Sequence, residues 1–184
     1  MQARRVYARR GLAQVVTTLL LLVFSVLLSG IAIYYSVNIV STRLQTEDVR
    51  LTKEKVWANS TGAVAALKIQ NLGGRDILID KIEVRGVESS WNTVWYHRVN
   101  EGSVVSGEMN VTSYALLDAS TETIDGRNYT QALADIPLAS GRDLLLYIKG
   151  PDNVQVDDIG TTVSISMFTI NAQYVTECNV KSAT

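Results

Sequence analysis

The chain has 184 residues, 47% of them apolar, with 17 basic and 18 acidic side chains and a net charge of −1. A single cysteine and a single histidine exclude an internal disulfide and the cysteine- and histidine-rich clusters that hold zinc. This length accommodates one apolar segment and one further domain of about 100 to 150 residues.

The near-zero net charge hides a segregation. Arg4, Arg5, Arg9 and Arg10 precede a stretch from Gly11 to Thr42 without any charged side chain. Residues 59–184, by contrast, carry 15 acids against 9 bases, a net of −6, which repels phosphate and argues against nucleic acid as a partner.

Within the uncharged stretch, Leu12 to Val40 holds seven Leu, six Val, three Ile and Phe24. About 20 helical residues cross a hydrocarbon core of roughly 30 Å, so this segment is long enough to span one. Each large apolar side chain favours insertion by roughly 0.3 to 0.6 kcal/mol, which together outweigh Thr17, Thr18, Ser25, Ser29 and Ser36. The four arginines hold the N-terminus in the cytoplasm, placing everything after Val40 outside, with Tyr34 and Tyr35 near the outer headgroup layer. Three fates fit such a segment: an ordinary secretory signal cut after Gly30-Ile31-Ala32, a permanent anchor, or a signal cut before its apolar part.

The third fate carries a family resemblance. Arg9-Arg10-Gly11, directly abutting Leu12-Ala13-Gln14-Val15-Val16-Thr17-Thr18-Leu19-Leu20-Leu21-Leu22, resembles the class III signal peptide of archaeal type IV pilins and archaellins. The resemblance implies cleavage by a prepilin peptidase between Gly11 and Leu12, with Arg9 and Arg10 recognised before the scissile bond. Residues 1–11 are then the leader, and the retained helix becomes the core of a filament. Bacterial type IV pilins usually carry Glu at the fifth mature position; here that position is Val16, which narrows the likeness to the archaeal subunits.

Beyond the apolar stretch, Thr42 to Ala58 contains no Gly or Pro and is rich in Leu, Glu, Lys, Arg and Gln. It therefore predicts a continuous helix over 12–58, stopped by Asn59-Ser60-Thr61-Gly62. Leu44, Leu51 and Val56 would form an apolar stripe, and Leu12 to Trp57 would measure about 70 Å, more than twice a bilayer core. An amphipathic extension of this length suits a subunit that holds its external domain clear of packed helices.

The remainder, 59–184, reads as strands: Ala63 to Gln70 and Ile77 to Val84 as a hairpin-like pair around Asn71-Leu72-Gly73-Gly74, then Thr93 to Val99, Ser103 to Leu117, Leu144 to Lys149 and Thr161 to Val175. The last alternates and then turns apolar on both sides, as a central strand does. Asn110 to Gln131 is rich in Ser, Thr, Asp and Asn and reads as a surface excursion. The fold class expected is α+β, a long hydrophobic helix followed by an antiparallel β-sandwich of immunoglobulin-like size.

Asn59-Ser60-Thr61, Asn110-Val111-Thr112 and Asn128-Tyr129-Thr130 match the N-glycan acceptor, which requires an external position. The rest of the chemistry is sparse. His97 has no second His or Cys near it in sequence, Cys178 suits a small apolar filler, and Asp143, Asp152, Asp157 and Asp158 lack the spacing of a calcium loop. No catalytic residue, metal or cofactor is expected, and the chain does not read as an enzyme.

The expected function is a structural subunit of an extracellular type IV pilus-like filament, with an adhesion pilus first. An archaellin of a motility filament and a monomeric membrane-anchored surface binding protein are the alternatives. The resemblance implies as partners other copies of the chain, the prepilin peptidase, the pilus assembly ATPase with its membrane platform, and the membrane before assembly. The precursor would sit in the cytoplasmic membrane with its N-terminus inside, the product at the cell surface.

Overall fold

The computed structural model describes residues 2–114 and 117–183, the side chains of 2–12 and 43–45 excepted. The chain falls into two units, a helix up to Leu44 and a β-unit from Gln45 onward. The helix, α1 (Gln2–Gln45), is 44 residues long. The class is α+β.

The β-unit contains β1 (Val49–Asn59), β2 (Gly62–Asn71), β3 (Ile77–Val84), β4 (Val87–Glu88), β5 (Val94–Arg98), β6 (Thr121–Ile124), β7 (Arg127–Gln131), β8 (Ile136–Leu138), β9 (Asp143–Lys149), β10 (Thr162–Thr169) and β11 (Gln173–Ser182). They form one sheet in the order β4-β3-β10-β11-β1-β2-β9-β5-β7-β6, with β8 branching from β3. Described pairs are antiparallel except β1 with β11, which run parallel through Val56↔Val180, so the sheet is mixed rather than antiparallel.

The helix ends thirteen residues short of the expected Ala58, because 49–59 forms a strand. Leu, Glu and Lys favour a helix there by tenths of a kcal/mol each. That preference loses to pairing of β1 along β2 from Val49↔Asn71 to Asn59↔Gly62, and to burial of Val56, Trp57 and Ala58. The expected pair 63–84 is likewise not a hairpin: β2 lies between β1 and β9, and β3 between β4 and β10.

Two further expectations change. Thr161–Val175 is not one strand but β10, a turn at Ile170–Ala172 and the start of β11; β10 does lie inside the sheet, between β3 and β11. Ser103–Leu117 is irregular over its described residues and covers one face of the sheet with Val105, Met109 and Leu117. The supposed excursion 110–131 contains the hairpin β6–β7, closed by Asp125-Gly126 at φ 52° and 72°. Asp-Gly at positive φ makes the turn whose twist matches the flanking strands.

Burial explains the curl of the sheet. A first core joins Leu67, Ile69 and Leu146 of β2 and β9 to Ile79, Ile82 and Ile165 of β3 and β10, strands well separated in the order. A second core, on the other side of β2 and β9, gathers Val64, Trp95, Leu145 and Tyr147 with Val99, Val105, Met109 and Leu117. All five residues from Leu144 to Ile148 are fully buried, so β9 is covered on both faces. Their continuous apolar run is the signature of such a strand.

In the second core Tyr129 and Tyr147 meet edge to face at 5.1 Å, and the Tyr147 hydroxyl donates to the Asn110 carbonyl at 2.8 Å. Burial pushes the Tyr129 phenol up to about 12, and raises Tyr147 as well. Folding thus favours the neutral phenols over an unfolded chain that ionises near pH 10. Their contribution is complete below about pH 10 and is lost as the pH rises towards 12. Thermal unfolding should show the melting temperature falling across that window, with a smaller fall in Tyr129→Phe; equal falls in both proteins would contradict a buried neutral Tyr129.

Candidate membrane-spanning and assembly helix

From Ala13 to Thr42, α1 presents thirty residues, long and apolar enough to cross a membrane, with a mean hydropathy of 2.5 over the most apolar 18-residue window. Every side chain in this stretch is exposed, including Leu21 at 63%, Leu28 at 65% and Tyr34 at 67%. Apolar groups occur on all sides of the helix, unlike the single stripe of a helix lying on a soluble core. At about 1.5 Å per residue the stretch is roughly 45 Å long, matching a bilayer with its headgroup layers.

The polar side chains are adapted to the same surroundings. Thr17 donates to the Ala13 carbonyl at 2.8 Å, Thr18 to Val15 at 2.9 Å, Ser25 to Leu22 at 2.8 Å and Ser29 to Ser25 at 2.8 Å. Ser36 donates to Ala32 at 2.8 Å and Thr42 to Asn38 at 2.9 Å. An unpaired hydroxyl in hydrocarbon costs several kcal/mol by alkane-transfer measures. A hydroxyl bonded back to the preceding turn carries its own partner, so these residues oppose insertion less than their polarity suggests. This was readable in the sequence, because a helical Ser or Thr always has an i−3 or i−4 carbonyl within reach.

Arg9, Arg10, Gly11 and Leu12 lie on the helical backbone of α1, and their side chains are outside those described. The same holds for Leu44 of the expected stripe.

The three acceptor asparagines occupy different settings. Asn59 closes the β1–β2 turn, its Oδ1 accepting the Thr61 amide at 2.9 Å, the Thr61 hydroxyl at 2.6 Å and the Gly62 amide at 3.1 Å. Asn110 is exposed, but its Nδ2 donates to Asp125 at 2.9 Å and Thr112 is buried. Asn128 and Thr130 on β7 are both exposed, and Asn128 uses only its Oδ1, which accepts the Thr123 hydroxyl at 2.9 Å.

The remaining candidates have structural partners. His97 Nδ1 lies 2.8 Å from the Asn128 carbonyl and its ring 5.5 Å from that of Tyr129. Cys178 is half-buried against the first core, and burial pushes its thiol up to about 11, away from the thiolate a nucleophile needs. Asp158 accepts the Gln155 amide at 2.9 Å and pairs with Arg85 at 2.8 Å, which hold its carboxyl below the usual range. Asp143 pairs with Lys68 at 2.7 Å, and among the described residues no cluster of three metal-ligating side chains forms.

No protein-family model matches this chain, and no curated protein matches it in sequence.

Proposed function

We propose that this chain is the precursor of a type IV pilin-like filament subunit, anchored in the cytoplasmic membrane through α1 and then assembled into an extracellular filament, an adhesion pilus first. The observation that carries the reading is an all-round apolar helix of thirty exposed residues, with Arg9-Arg10-Gly11 directly before it. In a bilayer those side chains contact lipid; in a filament they pack against neighbouring copies and leave water, at about 25 cal/mol per Å² relative to exposure. The β-unit, read as a sandwich closed around the first core, then decorates the filament.

Cleavage after Gly11 would release the basic leader and leave Leu12 as the first residue of the core. Gly11→Ile should block that cut, because a branched side chain next to the scissile bond excludes it from a site shaped for glycine. Immunoblots should show only full-length precursor in membranes; normal fibres from this variant would sink the processing claim.

External exposure also makes the chain a glycan acceptor, and the three sites should differ. A glycan on Asn128 leaves its Oδ1 bond intact, whereas one on Asn110 must crowd the same Nδ2 that bonds Asp125, in a motif whose Thr112 is buried. Mass spectrometry of surface material should find the modification at Asn128, lost in Asn128→Gln, and a bare Asn110. Modified Asn110 beside bare Asn128 would contradict this order.

A further inference from the structure

The turns at the Val49 end of the β-unit carry side chains that its folding does not use. The Asp48 carbonyl accepts the amides of Leu72 at 2.8 Å and Gly73 at 3.0 Å, while the Glu47 carboxylate accepts Asn171 Nδ2 at 3.0 Å and the Thr169 hydroxyl. These bonds fix the turns 71–74 and 169–172 beside residues 46–48. A Cβ on Gly73 would lie 2.6 Å from the Thr46 carbonyl oxygen, so only glycine allows this approach. The two turns nevertheless hold out Leu72, 56% exposed, and Ile170, 71% exposed.

Besides the exposed Arg50 on β1, three arginines stand at the same end. Arg75 is exposed and forms no ion pair with any described residue. Arg98 and Arg142 line a cavity of about 460 Å³ with Val99, Pro137 and Leu138 as apolar walls. The registers Arg98↔Leu144 and Gln70↔Asp143 bring these residues to that end. Arg98 donates to the Pro137 carbonyl at 3.3 Å, and Arg142 pairs at 2.9 Å with Glu101, whose 86% exposure makes the pair weak. The acids there are largely engaged: Asp76 accepts the Ser140 amide at 2.9 Å and Asp143 pairs with Lys68. Asp48 is the remaining exposed acid.

The chain itself says what lies near. The apolar span ends at Thr42, and five residues to Glu47 reach at most about 18 Å even when fully extended.

We infer that the Val49 end of the β-unit docks on the lipid headgroup layer before assembly, with Leu72 and Ile170 entering the interface and Arg75, Arg98 and Arg142 binding lipid phosphates. The inference rests on the membrane reading of α1. Branched aliphatic tips ringed by guanidinium groups match an interface that is apolar below and anionic above. Docking keeps the β-unit against the membrane until extraction, when the same tips lose their lipid.

The test uses the full chain reconstituted in phosphatidylglycerol vesicles, with Cys178→Ala as background and one new cysteine carrying an environment-sensitive fluorophore: Leu72→Cys, Ile170→Cys, or Leu133→Cys. Leu133 is the control, 88% exposed and next to Ala132, whose amide bonds Val94 at the opposite end of β5. Nitroxide lipids spin-labelled near the headgroup should quench the labels at 72 and 170 and leave 133 unquenched. Each of Arg75→Gln, Arg98→Gln and Arg142→Gln should lower the docked-to-undocked ratio by about fivefold, less at high salt. Carbonate-resistant insertion with unquenched tips would overturn docking alone. Quenching that disappears at one chain per vesicle would overturn it in favour of a neighbouring copy covering the tips. Failure of the chain to insert would overturn both docking and the membrane reading.

Discussion

Leu21→Asp should abolish fibres while leaving a correctly inserted, processed protein in the membrane. An aspartate at the centre of a span is about 3 to 4 kcal/mol worse than the leucine it replaces. The seventeen large apolar side chains of 12–40, at roughly 0.3 to 0.6 kcal/mol each, supply about 5 to 10 kcal/mol, so insertion survives the change. Assembly does not, because a carboxylate enclosed among packed helices has neither water nor a partner. An uncompensated buried charge costs about 3 to 5 kcal/mol, and every subunit would bear it. Leu21→Met keeps the volume and should assemble normally. Fibre yield by electron microscopy, beside membrane content by immunoblot, separates the two steps; undiminished fibres from Leu21→Asp would argue against a packed helical core.

Asp143→Ala should strip the β-unit of much of its stability. Lys68 is buried on β2, and its ammonium group pairs with Asp143 of the adjacent β9 at 2.7 Å, the other carboxylate oxygen accepting Gln70 Nε2 at 3.1 Å. Deleting the carboxylate strands the ammonium group, at about 3 to 5 kcal/mol, against a typical domain stability of about 5 to 15 kcal/mol. Replacing both partners by apolar residues, as in Lys68→Met with Asp143→Leu, removes the charge to be satisfied and should recover most of the loss. Urea unfolding of the detergent-solubilised chain, followed by fluorescence of the buried Trp57 and Trp95, measures the difference. A single variant as stable as the native chain would mean that Lys68 finds water or another partner.

The sequence made the apolar helix plain, because an uncharged stretch between Arg10 and Arg43 admits few other readings. β2, β3, β5 and β9 were legible for a local reason: each is a short apolar run bounded by turn residues such as Asn71-Leu72-Gly73-Gly74. β1 was not, because its Leu, Glu and Lys content favours a helix and its strand partners include β11, more than a hundred residues away. Non-local pairing leaves no mark in a local window, and it decided where α1 stops. The β6–β7 hairpin did leave a mark, Asp125-Gly126, masked by the polar residues around it. Of the candidate sites, the acceptor motifs could be found by pattern, but only the bond from Asn110 to Asp125 and the burial of Thr112 set one apart from the others. The clamp of residues 46–48 by the 71–74 and 169–172 turns, with the tips it presents, arises from tertiary contacts and had no counterpart in the sequence pattern.

The most direct measurement is N-terminal sequencing of this protein in a sheared cell-surface fraction, read beside negative-stain microscopy of the same material. A processed filament subunit gives Leu12 as its first residue in a fraction that contains fibres. An intact leader, in membranes without fibres, would contradict that and leave a permanently anchored surface protein.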